Sequence, residues 1–167
     1  FATLRTDHLI MTSGPTTTDT VEPYHNRIRE AVRANQREVS LANLHRQLAE
    51  AMEHPDEELD AEALSLHWRE AGDDERASIY AEQAAHKAMG VLAFGRAGRL
   101  LRRALTLEHR KPERQYHLLV ALGEAQANAG LGAEAGRAFQ QAAQQARRLG
   151  LDYHDLQRQA AEQLLRS

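Results

Sequence analysis

The chain has 167 residues, 42% of them hydrophobic, which is enough to build one compact core or a short solenoid. A formal net charge of −3 removes the basic field with which a nucleic-acid binder gathers phosphates. The lack of cysteine excludes disulfides and thiolate metal sites and makes a reducing cytoplasm the expected compartment.

No apolar run approaches the roughly 18 residues of a membrane span, and the N-terminus lacks the basic, apolar and small-residue order of a signal peptide. A soluble chain with no membrane partner is therefore expected. It opens at Phe1 rather than at methionine and runs straight into patterned sequence, which marks it as an expected piece of a longer protein.

In chain order, Thr3 to Thr12 alternates loosely and ends at Ser13-Gly14-Pro15 and a threonine run, reading as a strand or hairpin and then a loop. Residues 1–20 thus form an extended segment. Glu22-Pro23 places a proline where a first helical turn tolerates it, and Ile28 and Val32 share a face, predicting a helix over 22–34. Leu41, Leu44, Leu48 and Met52 recur at three and four residues before His54-Pro55-Asp56, predicting a second helix over 40–53. The two read as a hairpin junction covering residues 21–57.

From residue 58 the pattern becomes regular. Gly72, Gly130 and Gly150 each end an apolar periodic run, supplying the left-handed backbone that closes many helices. Asp73-Asp74 and Asp152 are N-cap candidates, and Pro112 suits a first helical turn. The predicted helices run over 60–71, 74–89, 93–108, 112–129, 133–149 and 152–166. Short connections require sequential helices to pack antiparallel.

Small and large residues also recur at fixed offsets. Leu119-x2-Leu122-Gly123 precedes Gly130 and then Ala135-x3-Phe139-x2-Ala142; Ala61-x2-Leu64-x3-Trp68 precedes Gly72 and then Ala77-x3-Ala81-x2-Ala84. Ala97-x3-Leu101-x2-Ala104 repeats the second half, without a well-formed first helix before it. This pattern resembles the tetratricopeptide repeat, in which a small alanine sits where two helices touch and glycine sits in the turn. Gln126 and Arg147 depart from the tyrosine and proline of that family, and the two good copies are not a whole number of 34-residue repeats apart. The resemblance implies an all-α fold of antiparallel hairpins in a short right-handed superhelix over residues 58–167, with a distorted joint at Met89 to Phe94.

A second resemblance lies in Val21-Glu22-Pro23-Tyr24-His25-Asn26-Arg27-Ile28, Leu44-His45-Arg46-Gln47-Leu48-Ala49-Glu50 and His67-Trp68-x2-Ala71-Gly72-Asp73. The order of these blocks is similar to that in large bacterial signal-transduction ATPases. There such a segment closes the winged-helix part behind a nucleotide-binding domain and opens a helical sensor array. The resemblance implies that Leu4 to Thr12 is the end of a winged helix. It also implies a parent carrying a serine/threonine protein kinase or a transcription-regulator domain.

Chemical motifs are sparse. No two of the nine histidines stand four apart, and His67 with Glu70 is the one pair singled out on a helix face, so no metal site is expected. Gly90-x4-Gly95-x2-Gly98 lacks the lysine and hydroxyl of a phosphate loop and reads as a loosened joint with close packing at Gly95 and Gly98. Arg96, Arg99, Arg102 and Arg103, with Arg147 and Arg148, lack interleaved aromatics and read as solvated or ion-paired. Trp68 reads as core. No signature marks an activated nucleophile, and no catalytic residue or cofactor is expected.

In tetratricopeptide arrays the first helix of each pair lines the concave surface. That resemblance implies a partner-binding groove at Glu62, Arg69 and Glu70 in one copy and His117, Glu124 and Asn128 in the other. The expected partner is a protein or peptide, including other domains of the same polypeptide. A non-enzymatic regulatory module is the leading expectation; the sensor region of a transcription activator and a helical metal-dependent hydrolase are the alternatives.

Overall fold

The computed structural model describes residues 2–13, 21–35, 38–53, 59–108 and 111–166. The chain divides into two compact units, Phe1–Leu44 and His45–Ser167.

The first unit contains helix α1 (Ala2–Thr6), strands β1 (Ile10–Thr12) and β2 (Val21–Pro23), and helix α2 (Asn26–Asn35). β1 and β2 pair antiparallel, with Ile10 opposite Pro23, Met11 opposite Glu22 and Thr12 opposite Val21. The expected extended run is thus a strand only at its far end. Its first half closes on itself instead: His8 takes φ 54°, Asp7 N–H donates to Thr3 O at 2.9 Å and Leu9 N–H to Leu4 O at 2.9 Å.

The expectation that Pro23 opens a helix also fails. Pro23 ends β2, and Tyr24 N–H donates to Leu9 O at 3.0 Å, so the chain stays paired past the proline. The helix starts at Asn26, four residues later than predicted. A proline that lacks an N–H suits either the first turn of a helix or the end of an edge strand, and only pairing with β1 decides between them. Gly14 to Thr20 lie outside the described residues.

The second unit is built from helices among its described residues. α3 (Glu38–Met52) runs into it from the first unit, followed by α4 (Ala61–Glu70), α5 (Asp74–Gly90), α6 (Phe94–Leu107), α7 (Pro112–Asn128), α8 (Gly132–Leu149) and α9 (His154–Leu165). Their ends fall within about two residues of the predicted ones, the margin at which helix ends fray. The expected pairing of α2 with α3 falls across the division between units, and His54-Pro55-Asp56 lie outside the described residues.

Local signals place these helices. Asp60 accepts from Ala63 N–H at 3.1 Å and Asp73 from Arg76 N–H at 3.0 Å, each satisfying an otherwise orphaned donor. Asp152 accepts from His154 N–H at 3.0 Å, one position ahead of the cap. Pro112 occupies the first turn of α7.

Four connections share one hydrogen-bonded turn. Asp73 N–H donates to Trp68 O, Ala93 N–H to Ala88 O, Leu131 N–H to Gln126 O and Leu151 N–H to Ala146 O, all at 2.8–2.9 Å. A left-handed residue sits inside each: Gly72 (φ 82°), Leu92 (φ 59°), Gly130 (φ 75°) and Gly150 (φ 71°). The joint at Met89 to Phe94 is therefore not distorted. It is the same turn with leucine where the others have glycine, and leucine carries no local signal for a left-handed turn.

Packing exposes a register of 38 residues. Ala97, Leu101 and Ala104 of α6 recur as Ala135, Phe139 and Ala142 of α8, and all six are buried. The left-handed Leu92 likewise recurs as Gly130. A well-formed first helix does precede Ala97, namely α5, and the matched units are the hairpins α5–α6 and α7–α8. The apparent match between Ala61 and Leu119 belongs to a different phase. Alanine-rich helix surfaces resemble one another at several offsets, so sequence similarity alone admits the wrong pairing.

Two glycines on the packed surfaces are sterically required. A Cβ on Gly123 would lie 2.5 Å from Phe139 Cε1, and one on Gly136 would lie 2.6 Å from Leu164 Cγ and 3.2 Å from Ala160 O. Gly95, expected at a close approach, has nothing within 4 Å of its Cβ position, and Gly98 makes only ordinary contact with Gln126 Cγ at 3.9 Å. Trp68 is 2% exposed and belongs to the core, as its position predicts.

Candidate binding surface

Consecutive helices from α4 to α9 pack on one another, so alternate helices lie side by side in two layers. Glu62 of α4 reaches Arg96 of α6, with Nε at 2.9 Å and Nη2 at 2.5 Å. On the other layer Arg114 of α7 reaches Glu82 of α5 at 2.5 Å, and Lys111 pairs with Glu75.

This alternation separates the candidate groove residues. Glu62, Arg69 and Glu70 stand on α4, in the layer of α6 and α8. His117, Glu124 and Asn128 stand on α7, in the layer of α5. α4 and α7 look alike in sequence, but three connections apart they cannot line the same layer. Arg69 and Glu70 pair with each other at 2.6 Å, and Glu62 is half-buried by its contact with Arg96. His117, Glu124 and Asn128 are exposed, and the His117 ring lies 4.9 Å from that of Tyr116.

Two grooves instead mark the α4–α6–α8 layer. The first, of about 400 Å³, lies among Asp60, Glu62, Ala84, Ala88, Val91 and Arg96. The second, of about 440 Å³, lies among Arg102, Leu122, Gln126, Glu134, Arg137 and Ala138. Ala84, Ala88 and Arg96 of the first are replaced in the second by Leu122, Gln126 and Glu134, each 38 residues on. The grooves are one site repeated.

Their linings differ. The first has an apolar floor of Ala84 and Ala88 beside Val91, which is 73% exposed. The second carries the guanidinium groups of Arg102 and Arg137 on its rim, with Glu134 3.5 Å from Arg137. Gln126 is 5% exposed, and its Oε1 is buried with no hydrogen-bond partner. A buried amide left unpaired costs about 1–3 kcal/mol, which a suitably placed ligand group offsets.

A polar network joins Glu53, the residue after α3, to α4 and α5. Trp68 Nε1 donates to Glu53 Oε1 at 2.8 Å, Tyr80 O–H donates to the same oxygen at 2.7 Å, and Arg76 lies 4.3 Å over the indole. Burial and this carboxylate push the Tyr80 phenol up to about 12. Nearby, His45 Nδ1 and His67 Nδ1 stand 2.8 Å apart, a distance that requires a bare nitrogen on one ring to accept the proton of the other. Burial, then the neighbouring His45, lowers the His67 pKa below 6.5, and Glu70 opposes the shift. Sequence spacing could not reveal this pair, because its members sit on different helices.

Glu108, 5% exposed, organises the connection from α6 to α7. Arg114 Nε stands 3.1 Å from its carboxylate, Lys111 N–H donates to Oε1 at 3.2 Å, and Gln115 donates to its backbone oxygen at 2.7 Å. Among the described residues no group of three or more histidines and carboxylates is placed to hold a metal ion. Among the same residues no helix is long and apolar enough to cross a membrane. No family model matches the chain, and neither a curated protein nor a solved structure matches it.

Proposed function

We propose that this chain is a non-catalytic interaction and regulatory module: the opening of a tetratricopeptide-type helical array in a larger bacterial signalling ATPase, of the kind linked to serine/threonine kinases. The observation that carries the reading is the 38-residue register. It repeats the buried small residues of α5–α6 in α7–α8, and with them a groove on one layer. A repeat that reuses one packing solution presents a surface that lengthens unit by unit, and such surfaces bind proteins and peptides through several modest contacts. The ordered blocks from Val21 to Asp73 support the link to a signalling ATPase, and the β1–β2 hairpin supports a winged-helix end before them.

The mechanism is thermodynamic. A partner bound by the array shifts the attached switch domain only to the extent that it binds the two switch states with different affinity. The test has two parts. The reading frame upstream of Phe1 should encode a nucleotide-binding region with a phosphate-binding loop. That region, expressed separately, should bind this chain in calorimetry with affinities differing at least fivefold between its ATP and ADP forms. A reading frame without such a region, or equal affinity in both forms, defeats the proposal.

A further inference from the structure

The paired grooves on the α4–α6–α8 layer are two subsites with different chemistry. Arg96 of the first groove and Arg102 of the second stand six residues apart on α6, about 9 Å along its axis, a span that an extended chain rising about 3.3 Å per residue covers in about three residues. The first subsite offers the alanine methyls of Ala84 and Ala88 with the exposed Val91. Glu62 and Arg96 on its rim neutralise each other in their ion pair, and Asp60 and Lys87 add one charge of each sign, so the groove has no net charge. It suits an aliphatic side chain.

The second subsite is cationic. Its two arginines face one carboxylate, and α6, which supplies Arg102, contains four arginines and no acidic residue. At its floor, turning the Gln126 amide about its last torsion presents either oxygen or nitrogen to the groove. An extended backbone carries both a donor and an acceptor to meet it.

We infer that this layer binds an extended peptide that places an aliphatic side chain over Ala84 and Ala88 and, about three residues away, an aspartate or glutamate between Arg102 and Arg137. The inference rests on the reading of the chain as an interaction module and names its partner's chemistry. A nucleic acid is the less suitable polyanion, because no aromatic side chain lines the second groove and the chain's net charge is −3.

The probe is a fluorescein-labelled ten-residue peptide of glycine and serine carrying one leucine and, three residues on, one aspartate. Companion peptides replace the aspartate with lysine or the leucine with serine. Fluorescence anisotropy on the full chain should show the aspartate peptide binding at least tenfold more tightly than either companion. Arg102→Glu with Arg137→Glu should abolish that preference and turn it toward the lysine peptide. Val91→Asp should weaken binding at least fivefold. All three substituted side chains are exposed, and circular-dichroism melting checks that each variant stays folded.

Equal binding of the aspartate and lysine peptides overturns the proposal, as does binding untouched by the arginine reversals. So does displacement of the peptide by a single-stranded oligonucleotide whose own binding depends on Arg102 and Arg137. The same variants are also tested against the nucleotide-binding region. Binding there that survives them overturns the groove assignment alone and leaves the module reading standing.

Discussion

The hairpins α5–α6 and α7–α8 are two solutions of one packing problem. Ala85 and Leu101, fully buried in the first, are replaced 38 residues on by Gly123 and Phe139 in the second. One methyl is removed where a leucine becomes a ring. Volume is exchanged across the interface, so the backbone register survives a large change in side chain. The turns differ too, with Leu92 holding a left-handed conformation that Gly130 adopts freely. The comparison teaches that the register is set by buried small residues and by turn hydrogen bonds, and that individual side chains can be traded.

The strongest way to break this equivalence is Gly123→Ala. Its new methyl would stand 2.5–2.8 Å from the Phe139 ring, and overpacking of this kind costs about 1–3 kcal/mol. Chemical denaturation of the single variant should show that loss. Adding Phe139→Leu, which copies the first hairpin, should recover at least half of it. A double variant no more stable than the single one would show that the hairpins are not interchangeable.

A smaller effect comes from exchanging the turn residues. A non-glycine residue in the left-handed region costs about 1–2 kcal/mol, so Leu92→Gly should raise the melting temperature and Gly130→Leu should lower it. Opposite signs at equivalent turns are the outcome to look for. Equal signs would mean that the Leu92 side chain stabilises the turn by contacts that outweigh its strain.

The smallest effect lies ahead of both hairpins, at the imidazole pair. His67 has a lower pKa in the folded chain than in the unfolded one, so below pH 6.5 the unfolded state binds the additional proton more readily. Stability should be level above pH 6.5, fall as pH drops below it, and level again beneath the folded-state pKa. In His67→Gln this part of the decline should disappear from melting curves taken between pH 7.5 and 5. A slope unchanged by the substitution would place the acid sensitivity elsewhere.

Much of the fold was legible because its determinants are local. Asp73, Pro112 and the three left-handed glycines act within a turn of their own position, and they located helix ends in the second unit. The site was less legible. Glu62 and Arg96 are 34 residues apart, and whether they meet depends on which helices share a layer. His45 with His67, and Gln126 beside Arg102 and Arg137, are equally long-range.

The sequence by itself determined where the helices of the second unit begin and end, and which residues are small enough to be crossed by a neighbour, because backbone dihedrals and side-chain volume belong to each residue. The tertiary structure decided the phase of the repeat. Alanine stripes fit one another at several offsets, and only simultaneous packing of α5 against both α4 and α6 selects the register in which Leu92 is a turn and α4 and α7 lie in opposite layers. The partner surface follows from that selection, since a groove exists only between helices the fold has placed side by side.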